Sequence, residues 1–320
     1  MTPRRTPSAH LSAFIFAISC AAVGLSGARP ASAQASVTSA ESEWRQDLAT
    51  WRTLRAQQID APTGWLTVVA MEWLKTGINS IGAAQDNKIQ IHATAPDHIG
   101  LLTVSGKTVQ LLAPQGGFPA GLTIDGKPAR EGTLVVEGRM PSKIGLNSLS
   151  LVVLDRGGQY SLRIEDTDSP LRRQFKDLNW YPADPQFSVE AIWTPSTPPH
   201  TEKLSTAAGG TLELSAPGTA EFTLNGHNLT LMPVLETAGA KTLLFIVSDP
   251  TGKDTTFAAG RYLHAPFPDH GLDKPGKLIL DFNRLENSAC AYSEFASCPL
   301  PPEKNHLPIT IEAGEKRYTP

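Results

Sequence analysis

The stretch from Lys277 to Tyr318 reads KLILDFNRLENSACAYSEFASCPLPPEKNHLPITIEAGEKRY and carries the densest set of structural signals in the chain. Residues 278–282 are apolar except for Asp281, and this short run predicts a strand. Prolines at 299, 301 and 302 favour an extended backbone after it. Arginine, aspartate, asparagine and tyrosine are crowded into the same stretch. We therefore expect β structure here, together with the most chemically distinctive residues of the protein.

The N-terminus has the features of a secretory signal peptide. Arg4 and Arg5 are followed by an apolar run over 11–25 that is too short to span a bilayer. Ala31-Ser32-Ala33 then provides a small-residue cleavage site, so residues 1–33 are predicted to be removed. We expect a periplasmic or secreted protein. A twin-arginine signal and a lipid anchor at Cys20 are the alternatives.

Composition limits the partners of the exported chain. Of 28 basic and 31 acidic residues, three arginines lie in the leader, which leaves 25 basic residues and a net charge of −6. Such a charge disfavours nucleic acid. No later apolar run reaches membrane-spanning length. The expected partner is a small molecule or a component of the cell envelope.

Cys290 and Cys298 are the only cysteines after Cys20. In an oxidising compartment their short spacing predicts a disulfide. A metal site is disfavoured because His264, His270 and His306 do not have zinc-ligand spacing. No cofactor is predicted.

The fold class is predicted to be mainly β. An amphipathic N-terminal helix is predicted within residues 34–60. Thr38 and Glu41 have the spacing of a capping box at its start. The helix places four apolar residues on one face: Trp44, Leu48, Trp51 and Leu54. Glycine and proline, 26 each, then separate short apolar runs. This pattern predicts two antiparallel β-sandwich-like units, over 61–185 and 186–320.

Two dipeptides predict tight hairpin turns, Asp125-Gly126 in the first unit and Asn225-Gly226 in the second. The segments Thr76–Gly82 and Asn87–Ile91 resemble the opening of a forkhead-associated β-sandwich. That resemblance implies sandwich topology without phosphopeptide binding, because the phosphate-holding residues are not recognisable.

Familiar catalytic motifs are absent from the sequence: there is no G-x-S-x-G, S-x-x-K, H-E-x-x-H or G-x-G-x-x-G. The glycines and lysine of 121–127 match the spacing of a phosphate loop. However, Pro128 replaces the hydroxyl residue that would bind magnesium, and the segment is predicted to be a hairpin.

A polar cluster is the remaining candidate site. We expect it to comprise Asp249, Arg261, Tyr262, Asp281, Asn283, Arg284, Asn287, Tyr292 and Asn305. In one interpretation these residues form a hydrogen-bonded network that stabilises a β domain. In the other, Arg261 holds an anionic or hydroxylated ligand, and Asp281 and Tyr292 act as general base and acid.

Several motifs of this region resemble the bacterial and archaeal family called domain of unknown function 1684. They are Ser248-Asp249-Pro250-Thr251-Gly252, Gly260-Arg261-Tyr262-Leu263, Leu280-Asp281-Phe282-Asn283-Arg284, Cys290-Ala291-Tyr292, Cys298-Pro299-Leu300-Pro301-Pro302, Asn305-His306-Leu307 and Ala313-Gly314-Glu315. The resemblance extends over essentially the whole chain after the leader, including Gly64-Trp65-Leu66 and Trp73-Leu74. The chain departs from the family where Glu286-Asn287-Ser288-Ala289 replaces the asparagine-proline that often precedes the first cysteine. The resemblance supports the fold and the place of the site, and it implies no activity.

Three functional hypotheses follow. A non-catalytic ligand-recognition or structural module is favoured, because the chain is β-rich and lacks a familiar catalytic arrangement. An exported hydrolase using the C-terminal cluster is the first alternative, and a metal-binding protein is the second. An enzyme requires several cluster residues around an open pocket, whereas a module requires them buried and mutually hydrogen-bonded.

Overall fold

The computed structural model describes residues 31–138 and 140–319, with side chains from Ser39 onward. The predicted signal peptide lies almost wholly outside the described residues, and its cleavage stays a prediction. Helix α1 spans Ala31–Ile59. The predicted capping box is therefore wrong, because Thr38 lies inside the helix and not at its first turn.

The chain divides by its contacts after Glu43, and residues 44–320 form one compact unit. Within this unit α1 buries Leu48 and Ile59. Leu54 was expected on the same face, but it is 52 % exposed. Arg55 packs instead, with its side chain 13 % exposed. It lies four residues after Trp51, and residues with this spacing share one face of a helix.

Two sheets follow α1. Their strands are β1 (Val68–Trp73), β2 (Gly77–Gly82), β3 (Ile89–Gln90), β4 (Gly100–Ser105), β5 (Thr108–Leu112), β6 (Thr123–Ile124), β7 (Lys127–Pro128), β8 (Gly132–Thr133), β9 (Lys143–Leu146), β10 (Leu149–Asp155) and β11 (Tyr160–Asp166). One sheet has the order β1-β11-β10-β9-β6-β7 and the other has the order β3-β2-β4-β5-β8. Only β2 and β3 pair in parallel within these sheets.

Both sheets contribute to one hydrophobic core. Leu102 and Leu111 come from the five-stranded sheet, while Leu151, Leu162 and Ile164 come from the six-stranded sheet. Side chains alternate across a strand, so each sheet turns one apolar face towards the other. The two sheets therefore form a β-sandwich-like unit. A specifically forkhead-associated topology is not confirmed.

A short helix, α2 (Pro170–Gln174), leads into two further sheets. Their strands are β12 (Ser188–Ser205), β13 (Thr211–Leu224), β14 (His227–Leu231), β15 (Thr242–Val247), β16 (Arg261–Pro266), β17 (Gly276–Asp281) and β18 (Glu286–Asn287). The sheet orders are β14-β13-β12-β17 and β15-β16-β18. All of these pairings are antiparallel.

Strand β15 is buried on both faces. Phe245 and Val247 pack into the main core with Trp193, whereas Leu244 and Ile246 pack into a second cluster on the opposite face. This explains the unbroken apolar run TLLFIV, since a strand covered on both sides needs no polar alternation. The strand thereby fixes the elements that follow it, which carry the candidate site.

The predicted hairpin turns are confirmed. Asn225 and Gly226 have φ values of 51° and 79°, and Asp125 and Gly126 have values of 51° and 76°. These pairs suit two-residue turns with both central residues in the left-handed region. The division into domains near Pro185 stays a prediction. No helix in the described ranges is long and apolar enough to cross a membrane.

Candidate functional site

Cys290 and Cys298 form the predicted disulfide, with their Cα atoms 6.1 Å apart. The bridge closes a compact loop that begins with a short 3-10 turn over Ala289–Ala291. Beyond it, the Leu300 amide donates to the Ser205 carbonyl at 2.8 Å. The cross-link therefore lies next to the point where the C-terminal segment joins the end of β12.

Replacing both cysteines with serine is expected to lower the free energy of unfolding by about 2 to 3 kcal/mol, because a cross-link of this loop length restricts the unfolded chain. Urea unfolding of the Cys290→Ser/Cys298→Ser variant would measure the loss. The matched control is the native protein in a reducing agent, which should show the same loss. If the variant loses stability and the reduced native protein does not, the loss comes from replacing the cysteine side chains with serine and not from removing the cross-link.

Arg261 is the most deeply enclosed charged residue of the predicted cluster. It is 1 % exposed, and Nη2 lies 3.0 Å from Oδ1 of the equally buried Asp249. The guanidinium also donates to the carbonyls of Ile311 and Ala313. Burial lowers the pKa of Arg261, and Asp249 opposes that shift. The arginine is thus matched in charge and committed to protein acceptors.

Asp249 completes this first network. Its Oδ2 accepts the Ile311 amide at 2.8 Å, and its carboxylate caps the 3-10 turn Pro250–Lys253 by accepting from the Thr251 amide and hydroxyl. A carboxylate at the start of a turn satisfies otherwise unpaired amides. Asp249 and Arg261 therefore fix the C-terminal segment against β16.

Asn305 has a purely internal set of partners. Its side-chain oxygen accepts the Met232 amide at 2.8 Å, and its side-chain nitrogen donates to the carbonyls of Met232 and Ile246 at 2.9 Å each. These bonds link the residue that follows β14 to β15. Because Asn305 is 0 % exposed, a ligand cannot reach its side chain.

Asp281 and Asn283 lie together, but for a reason other than strand alternation. The strand ends at Asp281, and a 3-10 turn begins at Phe282. Asp281 Oδ1 caps this turn by accepting from the Asn283 amide at 3.1 Å and from its side chain at 2.9 Å. The expected continuation of the strand through Phe282 is therefore wrong.

Asp281 is the centre of a second network, and helix α1 covers its carboxylate. Trp44 Nε1 donates to Asp281 Oδ2 at 2.9 Å, and Arg284 Nε lies 3.4 Å from the same oxygen. Arg284 also pairs with Asp47 and stacks over Trp51. Asp281 is 9 % exposed, and its negative charge is satisfied by Trp44, which is distant in sequence, and by Arg284, which lies three residues away.

Glu315 is the centre of a third network and was not predicted as a site residue. It is 0 % exposed. Its Oε2 accepts the Asn287 amide at 3.0 Å, and Oε1 accepts the Asn287 side chain at 2.8 Å and the Tyr292 hydroxyl. Burial raises the pKa of Glu315 to about 7, while Arg55 and Tyr292 oppose the shift. Burial likewise raises the pKa of Tyr292.

The third network continues to the surface as a chain of charged groups. Arg55 Nε lies 3.7 Å from Glu315 Oε2 and 3.2 Å from Glu286 Oε2. Glu286 Oε1 lies 3.4 Å from His264 Nδ1, and His264 Nε2 lies 3.2 Å from Glu236 Oε2. Hydrogen bonds to the two glutamates raise the pKa of His264 to about 9. Opposite charges therefore alternate from the protein interior to its exterior.

The predicted cluster is thus distributed over separate networks. Tyr262 adds a further internal bond, donating from its hydroxyl to the Pro299 carbonyl at 2.8 Å. The assignment of a binding or catalytic role to these residues stays a prediction. Glu315 was visible only as part of the quoted Ala313-Gly314-Glu315 motif, and Arg55 had no local signal. Within the described ranges, no group of three or more histidine, cysteine, aspartate or glutamate residues is placed to hold a metal ion.

An open cleft of about 670 Å³ lies beside the first network. Its apolar lining consists of Ala258, Ala259, Leu300 and Pro301, and its polar lining includes Ser205, Ser248, Asp249, Lys253, His306 and Arg317. Asp249 faces the cleft with its charge already matched by Arg261. The uncompensated charges of the lining are therefore positive.

The Arg317 guanidinium is held in place at the cleft. Its Nε donates to the Thr256 carbonyl at 3.1 Å, and Nη2 donates to the Gly252 carbonyl at 3.2 Å. Neutral carbonyls orient the group without cancelling its charge. The cleft thus carries one cation oriented by carbonyls, Arg317, and one exposed cation, Lys253.

The family model described as "Protein of unknown function (DUF1684)" matches residues 173–316. This range contains all three networks except for the groups supplied by α1, and it leaves Gly64-Trp65-Leu66 and Trp73-Leu74 outside. The chain belongs to this family, as its C-terminal motifs predicted.

An uncharacterised protein of Haloarcula marismortui, solved by solution NMR, is 34 % identical to this chain. The similarity covers 45 % of this chain and 78 % of the archaeal one, with a TM-score of 0.40. A comparison with functionally curated proteins finds no match.

Proposed function

We propose that this protein is a non-catalytic ligand-recognition module, exported by its predicted leader, that binds a small amphiphilic carboxylate in the cleft between Lys253 and Arg317. The observation that carries the proposal is the contrast between the two sides of the first network. Arg261 is buried and paired with Asp249, whereas Arg317 is exposed at the adjacent cleft and is oriented by neutral carbonyls that leave its charge unpaired.

The lining of the cleft supports this ligand class. Ala258, Leu300 and Pro301 offer an apolar surface, and Lys253 and Arg317 offer positive charge at the same opening. Binding sites commonly combine an apolar lining with a few polar groups that orient the ligand. A carboxylate suits a guanidinium because the two can form charge-assisted hydrogen bonds.

The hydrolase alternative has less support. A general acid or base must reach its substrate within hydrogen-bond distance. Tyr292 is 4 % exposed and donates to the buried Glu315, while Asp281 is covered by Trp44. Both candidate groups are occupied by protein partners, which favours a module over an enzyme.

Hexanoate and its neutral counterpart hexanamide would test the proposal in NMR titrations of the full mature chain. Hexanoate is expected to bind at least about tenfold more tightly, because charge-assisted hydrogen bonds exceed neutral ones. Lys253→Gln should weaken hexanoate binding about threefold to tenfold, since it removes a positive charge from a side chain that makes no hydrogen bond within the described chain. Ala258→Trp should abolish binding by filling the cleft.

The matched control is Lys127→Gln, which removes an exposed lysine from β7 in the first sandwich. It should leave hexanoate binding unchanged. Equal affinity for hexanoate and hexanamide, retained binding by Ala258→Trp, or no saturable binding of hexanoate up to about 10 mM would refute the proposal.

A further inference from the structure

A groove of about 400 Å³ lies at one end of the first sandwich, outside the range matched by the family model. Its lining comprises Trp73, Leu74, Thr76, Val104, Gly106, Gly158, Gln159 and Tyr160. Trp73 is 58 % exposed, which is unusual for the largest apolar side chain. An exposed indole that lines an open groove is a candidate ligand-stacking surface.

Trp73 is supported by regular structure. It is the last residue of β1 and pairs with Ser161 of β11. The next amide, that of Leu74, donates to the Tyr160 carbonyl at 2.9 Å, and the Tyr160 side chain is buried in the core. The ring is therefore carried by the end of an edge strand that is hydrogen-bonded to β11, and little backbone ordering is needed when a ligand stacks on it.

The polar groups of the groove are uncommitted. Thr76 and Gln159 are both exposed, and no side-chain hydrogen bond within the described chain engages the Thr76 hydroxyl, the Gln159 amide or the Trp73 indole. These groups supply donors and acceptors without formal charge. They suit a ligand that is itself rich in neutral hydroxyl groups.

The groove is open to close approach along its backbone. Gly106 and Gly158 have φ values of 58° and 90°, and a Cβ atom added at either position would meet nothing within 4 Å. The turn at Gly158 is fixed because its amide donates to Asp155 Oδ1 at 2.7 Å. The two glycine turns leave a shallow entrance in which a flat ring can contact the indole.

We propose that this groove is a saccharide-binding site, in which one neutral sugar ring stacks on Trp73 while Thr76 and Gln159 hydrogen-bond its hydroxyl groups. An indole face offers a large apolar area beside a polar handle. The lining carries no charged side chain, so recognition relies on stacking and neutral hydrogen bonds. Lys75 and Lys107 adjoin lining residues in sequence but do not line the groove.

Calorimetric and NMR titrations of the full mature chain would test the site with three hexasaccharides. Two are neutral β-1,4-linked polymers, of glucose and of N-acetylglucosamine, and the third is the acidic polymer of guluronate. At least one neutral hexasaccharide should bind, with shifts in amides near Trp73, Gly106 and Gln159 and with little dependence on salt. Trp73→Ala should weaken binding at least about tenfold, and Gln159→Ala about threefold to tenfold.

Ile279→Ala is the control, because it removes an exposed apolar side chain (49 %, against 58 % for Trp73) from β17 and should leave saccharide binding unchanged. Absence of saturable binding by both neutral hexasaccharides up to about 10 mM would overturn the proposal. So would unchanged affinity in Trp73→Ala, or binding of the acidic polymer alone with strong salt dependence. A change in oligomeric state on Trp73→Ala would instead assign the indole to self-association and also overturn it.

Discussion

Replacing Arg261 with methionine is expected to lower the free energy of unfolding by about 3 to 5 kcal/mol. The substitution leaves the Asp249 carboxylate buried without its counter-charge, and it removes the donors to the carbonyls of Ile311 and Ala313. These unpaired acceptors lie in the C-terminal segment, so the loss includes the anchoring of that segment. Urea unfolding followed by circular dichroism would measure the change.

Arg130→Met is the control for loss of an arginine at an exposed position, and its effect should stay within about 0.5 kcal/mol. If Arg261→Met does not fold, Asp249→Asn offers a second measurement, since it leaves the arginine without its counter-charge. The double variant Asp249→Asn/Arg261→Met should lose less than the sum of the single variants. Additive losses, or a loss below about 1 kcal/mol in Arg261→Met, would contradict the described network.

The stability of the protein is expected to fall as the pH rises from 4.5 to 7, because of Glu315. Burial raises the pKa of this carboxyl from 4.5 to about 7. Its stabilising contribution is therefore fully present below pH 4.5, where both states are protonated, and it is lost as the folded group ionises near pH 7. The loss over this window is about 3 kcal/mol.

Glu315→Gln should remove this pH dependence while retaining the size of the side chain. Urea unfolding of the native and variant proteins at several pH values between 4.5 and 7 would measure the difference. The control is Glu72→Gln, an exposed position that should leave the profile unchanged. A parallel profile for the native protein and Glu315→Gln would count against a protonated Glu315.

His264 contributes in a higher pH window. Its pKa is raised from 6.5 to about 9 by Glu236 and Glu286, so its stabilising effect is present below pH 6.5 and is lost as the pH rises through 9. The pH ranges of the two effects meet near pH 7. The free energy of unfolding below pH 7 therefore reports on Glu315, and the free energy of unfolding above pH 7 reports on His264.

The parts of the fold that follow local rules were predictable from the sequence. Asn225-Gly226 requires a left-handed turn, and the short spacing of Cys290 and Cys298 favours a bridge wherever thiols are oxidised. Asp249 and Arg261 were selected because they lie in family motifs, and the structure pairs them with each other, while a site role for the predicted cluster stays a prediction. Their mutual hydrogen bonding fits the interpretation of a stabilising network.

The partners supplied by α1 could not be predicted. Arg55 and Glu315 are separated by most of the chain, and neither periodicity nor spacing connects residues at that distance. The helix start was misplaced because Thr38 and Glu41 have the sequence of a cap but lie within a longer helix. A strand was expected through Phe282, whereas the strand ends at Asp281 and a capped turn brings Asn283 beside it.

Helix α1 lies outside the range that defines family membership, yet it supplies Trp44 and Arg55 to carboxylates inside that range. A fragment beginning at Arg173 would keep Asp281, Glu286 and Glu315 but lose these cationic and indole groups. We therefore expect the family segment to be less stable when it is separated from α1. A transplant of this segment onto another scaffold should retain more stability when it includes the distant helix.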